Sequence, residues 1–334
     1  MKKIIYFIIV SFFYHSAFAY DRAKLMDAWV ANVMIRGYAD DGSLAYGSGV
    51  IIGDNEVVTN CHVLRKTKKP WVSQGEYSFS ITGVKADHWK DLCVLEVFDM
   101  NHKPVPIGDS RNLIKGQELV GIGHSNGAPV PLTTGGYVIS TYPMKQGGSI
   151  ILSSAKFRLG ASGSGLFDMD GNLVGINTFK TTGYGSYYSV PAEWINDVRS
   201  LPLTTTFPVQ GKALWEEDED SKPFFLKIAI PKVKRNWDSL VQITQQWVTE
   251  ESSDTEAWYE HGYAHEMLKN FQEAKSAYQK AVNFDENNSD ALFRIGVIEN
   301  IQGHDAEAEK IFHTLEELNP ARADELKELI AKKN

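Results

Sequence analysis

Residues 49–58 form an apolar run (GVIIGDNEVV) interrupted only by Asp54, Asn55 and Glu56. A run of this length predicts a buried strand, a tight turn at Asp54-Asn55 and a second strand that leads into His62. A second apolar run covers residues 92–97 and is opened by Asp91. Further on, Ser162 stands between Gly160 and Gly163, where the backbone can turn sharply and aim consecutive N–H groups at one spot. Near Leu203 the pattern changes. Thr204, Thr205, Thr206 and Pro208, then the acidic stretch 216–220, mark a boundary. Beyond Asn236 the apolar positions take helical spacing and repeat. Trp258, Gly262, Ala274, Tyr278 and Ala281 return 34 residues later as Leu292, Gly296, Ala308, Phe312 and Leu315.

The amino end follows another pattern. Lys2 and Lys3 precede an apolar stretch over residues 4–14 and the tripeptide Ala17-Phe18-Ala19, which predicts a secretory signal peptide over residues 1–19. The stretch is too short to span a bilayer stably, so an uncleaved anchor is the lesser alternative. A mature chain starting at Tyr20 would be periplasmic or secreted, with no stable membrane span after cleavage. Losing Lys2 and Lys3 takes the formal charge from −8 to −10, which argues against nucleic acid as a partner. A total of 334 residues is enough for two domains.

His62, Asp91 and Ser162 are the residue types acyl transfer needs. A serine hydroxyl is a poor nucleophile without a base in reach, an imidazole supplies that base, and a buried carboxylate orients it. The pattern G-x-S-x-G also marks α/β-hydrolases, but there the serine comes first, so the order here excludes that fold. His88 falls in a loop before the Asp91 strand and reads as unremarkable. The loop from Gly121 to Gly127, holding His124, lacks the Lys-Ser/Thr of a phosphate cradle and more simply borders a cleft.

The three segments resemble trypsin-like, chymotrypsin-fold serine proteases, most closely the bacterial HtrA-like branch. The matches are Thr59-Asn60-Cys61-His62-Val63, Asp91-Leu92-Cys93-Val94-Leu95, Gly160-Ala161-Ser162-Gly163, and a following hairpin with its turn at Asp170-Gly171. Ser164 replaces a customary glycine. Ala161 stands where zymogen-activated relatives carry an aspartate, which implies an enzyme not switched on by N-terminal cleavage. The resemblance implies an all-β domain of two six-stranded barrels over residues 20–205. It also implies an oxyanion hole from the N–H groups of Gly160 and Ser162, and a primary pocket lined by Lys156, Asn177, Thr178, Tyr187 and Tyr188. The two tyrosines would favour a small side chain, whereas Lys156 would favour an acidic one. No cofactor or metal is implied.

Cys61 and Cys93 are the only cysteines, and they flank His62 and Asp91. In an exported protein an even pair suggests a disulfide, the alternative being two buried thiols. The period of 34 resembles the tetratricopeptide repeat. It implies an all-α domain over residues 236–334, reached through a linker at 206–235. Residues 237–250 would end an incomplete repeat and residues 320–333 would form a cap. His261 and His265 have i, i+4 spacing but no third ligand, so no metal site is expected. Tyr259, Tyr263 and Met267 face the groove of the first repeat, to grip a peptide or to pack on the preceding domain.

The reading is a multidomain, secreted or periplasmic serine endopeptidase acting on a protein or peptide substrate, with repeats that recruit a substrate or protein partner. The alternatives are a catalytically idle protease-like module working through its repeats, and an esterase on the same site. All the proposed chemistry lies before residue 191, which predicts that a unit cut near residue 205 still turns over a small ester.

Overall fold

The computed structural model describes residues 22–181 and 186–333, so the expected leader over residues 1–19 lies outside the described residues. A short helix, α1 (Arg22–Val30), leads into β1 (Asn32–Tyr38), β2 (Leu44–Gly53), β3 (Glu56–Thr59), β4 (Trp71–Gln74), β5 (Tyr77–Asp87) and β6 (Leu92–Val97). These close a barrel in the order β1-β2-β3-β6-β5-β4, every pairing antiparallel. The expected turn joins β2 to β3, with Asn55 in the left-handed region at φ 59°. Its side chain takes the Met100 amide at 2.7 Å. Val50, Ile51, Val57 and Val58 are fully buried, as the apolar run requires.

A second closed barrel holds β7 (Glu118–Gly123), β8 (Leu132–Pro143), β9 (Ser149–Ser153), β10 (Ser164–Phe167), β11 (Leu173–Lys180) and β12 (Tyr187–Pro191), ordered β10-β11-β12-β9-β8-β7. Asp168 builds the predicted hairpin turn between β10 and β11 by accepting the amides of Asp170 and Asn172, both at 2.9 Å. The helix α2 (Trp194–Arg199) closes this half of the chain and ties it back to the first barrel, Arg199 reaching Glu56 at 2.7 Å.

Residues 206–235, read from composition as a linker, pack against the barrels rather than running free. They carry α3 (Phe224–Lys227) and α4 (Ala229–Lys234). Val209, Leu214, Phe224, Phe225 and Ile228 join the same apolar core as the barrels and the first repeat helices. Then come α5 (Trp237–Glu250), α6 (Thr255–Met267), α7 (Phe271–Phe284), α8 (Ser289–Gln302), α9 (Asp305–Leu318) and α10 (Pro320–Lys333). The recurring positions are the packing positions. Ala274, Tyr278, Ala281, Ala308 and Leu315 are fully buried, and a Cβ on Gly262 would stand 2.7 Å from the Tyr278 ring. No helix among the described residues is long and apolar enough to cross a membrane.

The repeats are docked on the second barrel. Ser140 donates to Glu256 at 2.6 Å, Lys145 pairs with Glu251 at 3.2 Å, and the Tyr142 ring lies 6.5 Å from that of Trp247 on α5. His261 Nδ1 lies 3.0 Å from the Thr244 hydroxyl, and its ring meets that of His265 edge-on at 4.6 Å. Met267 ends α6, and Tyr263 packs edge-on against Trp237 at 6.0 Å.

Candidate active site

His62 follows β3 on a single turn of 3₁₀ helix spanning Cys61–Leu64. Asp91 opens β6, fully buried, with φ 52°. Aspartate tolerates this left-handed conformation better than most residues. It lets the two faces of one residue do different work. The Asp91 carbonyl accepts the Asn60 side chain at 2.9 Å and the Cys61 amide at 3.3 Å. Its carboxylate takes the His62 amide at 2.8 Å on Oδ1 and lies 2.6 Å from His62 Nδ1 on Oδ2. An ionised carboxylate only accepts, so the proton of a neutral His62 sits on Nδ1 and the lone pair is left on Nε2. Cys61 and Cys93 are joined by a disulfide across 32 residues, bracing the two strand ends that carry this pair.

Ser162 occupies the turn between β9 and β10. Both flanking glycines are required. Gly160 has φ 91°, and a Cβ there would come within 2.7 Å of the His124 carbonyl. Gly163 has φ 86°, and a Cβ would meet the Asn60 amide nitrogen at 3.0 Å. The second contact sets the Ser162 turn directly against the segment that leads into His62.

One buried residue holds the turn in place. The Ser48 amide donates to the Ser162 carbonyl at 2.8 Å, and its hydroxyl donates to the Gly160 carbonyl at 2.8 Å. The same Ser48 hydroxyl accepts the His124 amide at 2.9 Å, while the Ser48 carbonyl takes the Thr59 hydroxyl at 2.6 Å. Ala161, Gly163 and Ser164 donate their amides to Arg158, Asn177 and Ala161 at 3.0, 2.9 and 2.9 Å. Among the described residues, the amides of Gly160 and Ser162 meet no protein acceptor. Nor, among those residues, does any hydrogen bond join the Ser162 hydroxyl to His62.

The five expected pocket positions differ in exposure and in direction. Lys156 is exposed. A bulge between Asn177 and Phe179 turns both Asn177 and Thr178 inward. Asn177 then bonds Ser164 and Ser189, each at 2.9 Å, and Thr178 bonds the Ile176 carbonyl at 2.7 Å. Tyr188 is buried in a stack with Phe179 at 4.8 Å, while Tyr187 is half-buried against Phe157 at 5.1 Å. His124 is buried, which holds its imidazole below the ordinary histidine range despite the bond from Nδ1 to the Ala128 carbonyl.

Two contributors went unread in the sequence. Ser48 was visible only as one small residue between Gly47 and Gly49. Trp215 comes from the segment after the barrels. Its indole N–H lies 3.2 Å from Asp91 Oδ2, and its ring meets His62 edge-on at 5.5 Å.

Residues 47–176 match the family model for a trypsin-like peptidase domain, and residues 255–288 match that for a tetratricopeptide repeat. Three curated proteins are similar over the first part of the chain. The anti-sigma-I factor RsgI9 of Acetivibrio thermocellus is 29% identical over 171 residues, covering 49% of this chain and 24% of that protein. Serine protease HTRA4 of Mus musculus is 30% identical over 185 residues, covering 50% and 37%. A probable periplasmic serine endoprotease DegP-like of Halomonas elongata is 32% identical over 162 residues, covering 46% and 34%. The chain therefore spans between 24% and 37% of the length of these relatives. The active-form crystal structure of the Rv3671c protease from M. tuberculosis aligns with TM-score 0.49 at 20% identity, covering 56% of this chain and 89% of that one.

Proposed function

From a chain that carries a trypsin-like peptidase domain related to the HtrA serine proteases, joined to tetratricopeptide repeats, we propose an exported serine endopeptidase. Ser162 Oγ attacks the scissile carbonyl carbon and passes its proton to His62 Nε2. The C–N bond breaks as that proton goes to the leaving amine. Water then attacks the acyl-enzyme, with His62 again taking and returning the proton, and Ser162 is freed. Asp91 holds His62 in the tautomer this requires. The unused amides of Gly160 and Ser162 receive the oxyanion, each contributing roughly 10²–10³ in rate.

The observation that carries this reading is the contact of a fully buried carboxylate with His62 Nδ1 at 2.6 Å, beside the Ser162 turn that Ser48 holds. The Cys61–Cys93 disulfide fits an oxidising compartment and supports export. For the repeats the reading is a brace on the second barrel. Recruitment of a partner at the first-repeat groove would require Lys115 to leave Glu256 and Asp290, at 3.3 and 3.5 Å.

The test is covalent labelling with a phosphonofluoridate, alongside peptide hydrolysis, in the full chain and its Ser162→Ala variant. Labelling confined to Ser162, with turnover lower by about 10⁶ in the variant, is expected. Hydrolysis within tenfold of the unmodified protein would remove Ser162 from the mechanism. A second reading, an idle protease-like module, draws on the missing Ser162–His62 hydrogen bond; it predicts no labelling at all.

A further inference from the structure

The Asp91 carboxylate is fully buried and takes three contacts among the described residues, of which His62 supplies two. The third comes from Trp215, outside both barrels. The turn that carries this indole is fastened on several sides. Leu214 donates its amide to the Trp89 carbonyl at 2.9 Å, and Glu216 pairs with Arg65 at 2.5 Å. The Ala213 amide reaches back to Glu216 at 3.0 Å. Burial alone would raise the Glu216 carboxyl, but the Ala213 amide and the Arg65 guanidinium hold it below the usual carboxylate range. The indole stacks on Phe179 at 5.7 Å, and rings continue through Tyr188, Phe225 and Tyr142 to Trp247 of α5.

We propose that Trp215 is a positioning residue for the His62–Asp91 pair, supplied to the active site by the segment that anchors the repeats. This rests on the endopeptidase reading above. Two donors on Oδ2 and one on Oδ1 pin the plane of a fully buried carboxylate. The indole also packs edge-on against the imidazole at 5.5 Å. With the Trp215 donor gone, Oδ2 keeps one partner in a buried site and the carboxylate gains freedom to rotate. Misplacement of an orienting group by a fraction of an ångström lowers turnover without weakening substrate binding.

Trp215→Phe removes the N–H and keeps a ring to stack on Phe179. In the full chain, phosphonofluoridate inactivation should slow about tenfold in its limiting rate, in line with one hydrogen bond to a charged group, with half-saturation unchanged. Thermal unfolding should stay close to that of the unmodified protein. The low-field proton resonance of the His62 Nδ1–H···Asp91 bond should shift, because Oδ2 no longer shares its charge with the indole. An unchanged limiting rate would overturn the proposal. So would a slower rate accompanied by an unmoved resonance, since the effect would then be structural. Ser162→Ala separates the two readings. If that variant is not labelled while Trp215→Phe reacts normally, only the role of Trp215 falls; if it is still labelled and active, the endopeptidase mechanism falls with it.

Discussion

Lys115, just before β7, stands 4.3 Å from the centre of the Tyr259 ring on α6. Its ammonium also lies 3.3 Å from Glu256 on α6 and 3.5 Å from Asp290 on α8, so the loop before β7 bridges two helices of the repeat region. Burial alone would lower the Lys115 ammonium, but Glu256, Tyr259 and Asp290 lift it above its ordinary value. Of the two uses open to Tyr259 from sequence, packing on the preceding domain is the one observed. Asp290 keeps Arg322 at 2.7 Å if Lys115 is removed, whereas among the described residues the Glu256 carboxylate keeps the Ser140 hydroxyl as its hydrogen-bond partner. Lys115→Met should therefore cost about 2–3 kcal/mol in urea unfolding and speed amide exchange along α6. Equal stability and exchange would show that the docking does not depend on this contact.

Asp91→Asn preserves shape but offers His62 an amide in place of an acceptor-only carboxylate. The wrong imidazole tautomer is then favoured, and turnover on a peptide substrate should fall by about 10⁴. Unchanged steady-state kinetics would transfer the orienting role to another group.

Cutting the chain at residue 205 has a consequence that composition did not foretell. The cut removes Trp215 from Asp91 and Glu216 from Arg65, and it uncovers Tyr142 and Tyr188, both packed on Phe225. The shortened protein should lose at least tenfold in turnover even on a small ester, where position of the catalytic chemistry alone predicts no loss. Full ester activity in a folded fragment would make the C-terminal part dispensable to the active site.

With Cys61 and Cys93 bonded, the unreduced protein should show no titratable thiol after denaturation. Replacing both by serine should cost about 3–4 kcal/mol in the chain-entropy account of a loop this long. Two thiols per chain after oxidising purification would contradict the bond.

His261 gives the repeats a pH dependence of known sign. Burial, with His265 and Lys280 nearby, lowers its imidazole from 6.5 to about 4. Between those values the unfolded chain carries a proton there that the folded chain does not. Its contribution is therefore complete above pH 6.5 and is lost as pH falls toward 4. Burial raises the Asp254 carboxyl from 3.8 to about 6, so that group works in the opposite direction over part of the same window. Comparison with His261→Gln isolates the histidine. The stability advantage of the unmodified chain should shrink by on the order of 2 kcal/mol between pH 7 and pH 4. Parallel stability curves for the two proteins would dismiss the effect.

Local structure was legible in the chain. The apolar run with its Asp54-Asn55 turn, the glycines at 160 and 163, and the 34-residue return of small and aromatic positions all follow from short-range steric and hydrophobic rules. These rules act within a strand, a turn or a helical hairpin, so they leave a readable period or spacing. Contacts between distant segments leave none. Ser48 reaches Gly160 across 112 positions, and Trp215 reaches Asp91 across 124, because barrel closure and the packing of residues 206–235 bring them together. In the sequence Trp215 stands beside the acidic stretch 216–220, where its neighbours suggest a solvated linker. The direction of Asn177 and Thr178 likewise depended on one bulge in β11, which breaks the alternation a strand would otherwise impose. Tertiary structure alone decided which groups meet at Asp91 and at Lys115, since those meetings depend on the register of whole elements rather than on any local preference.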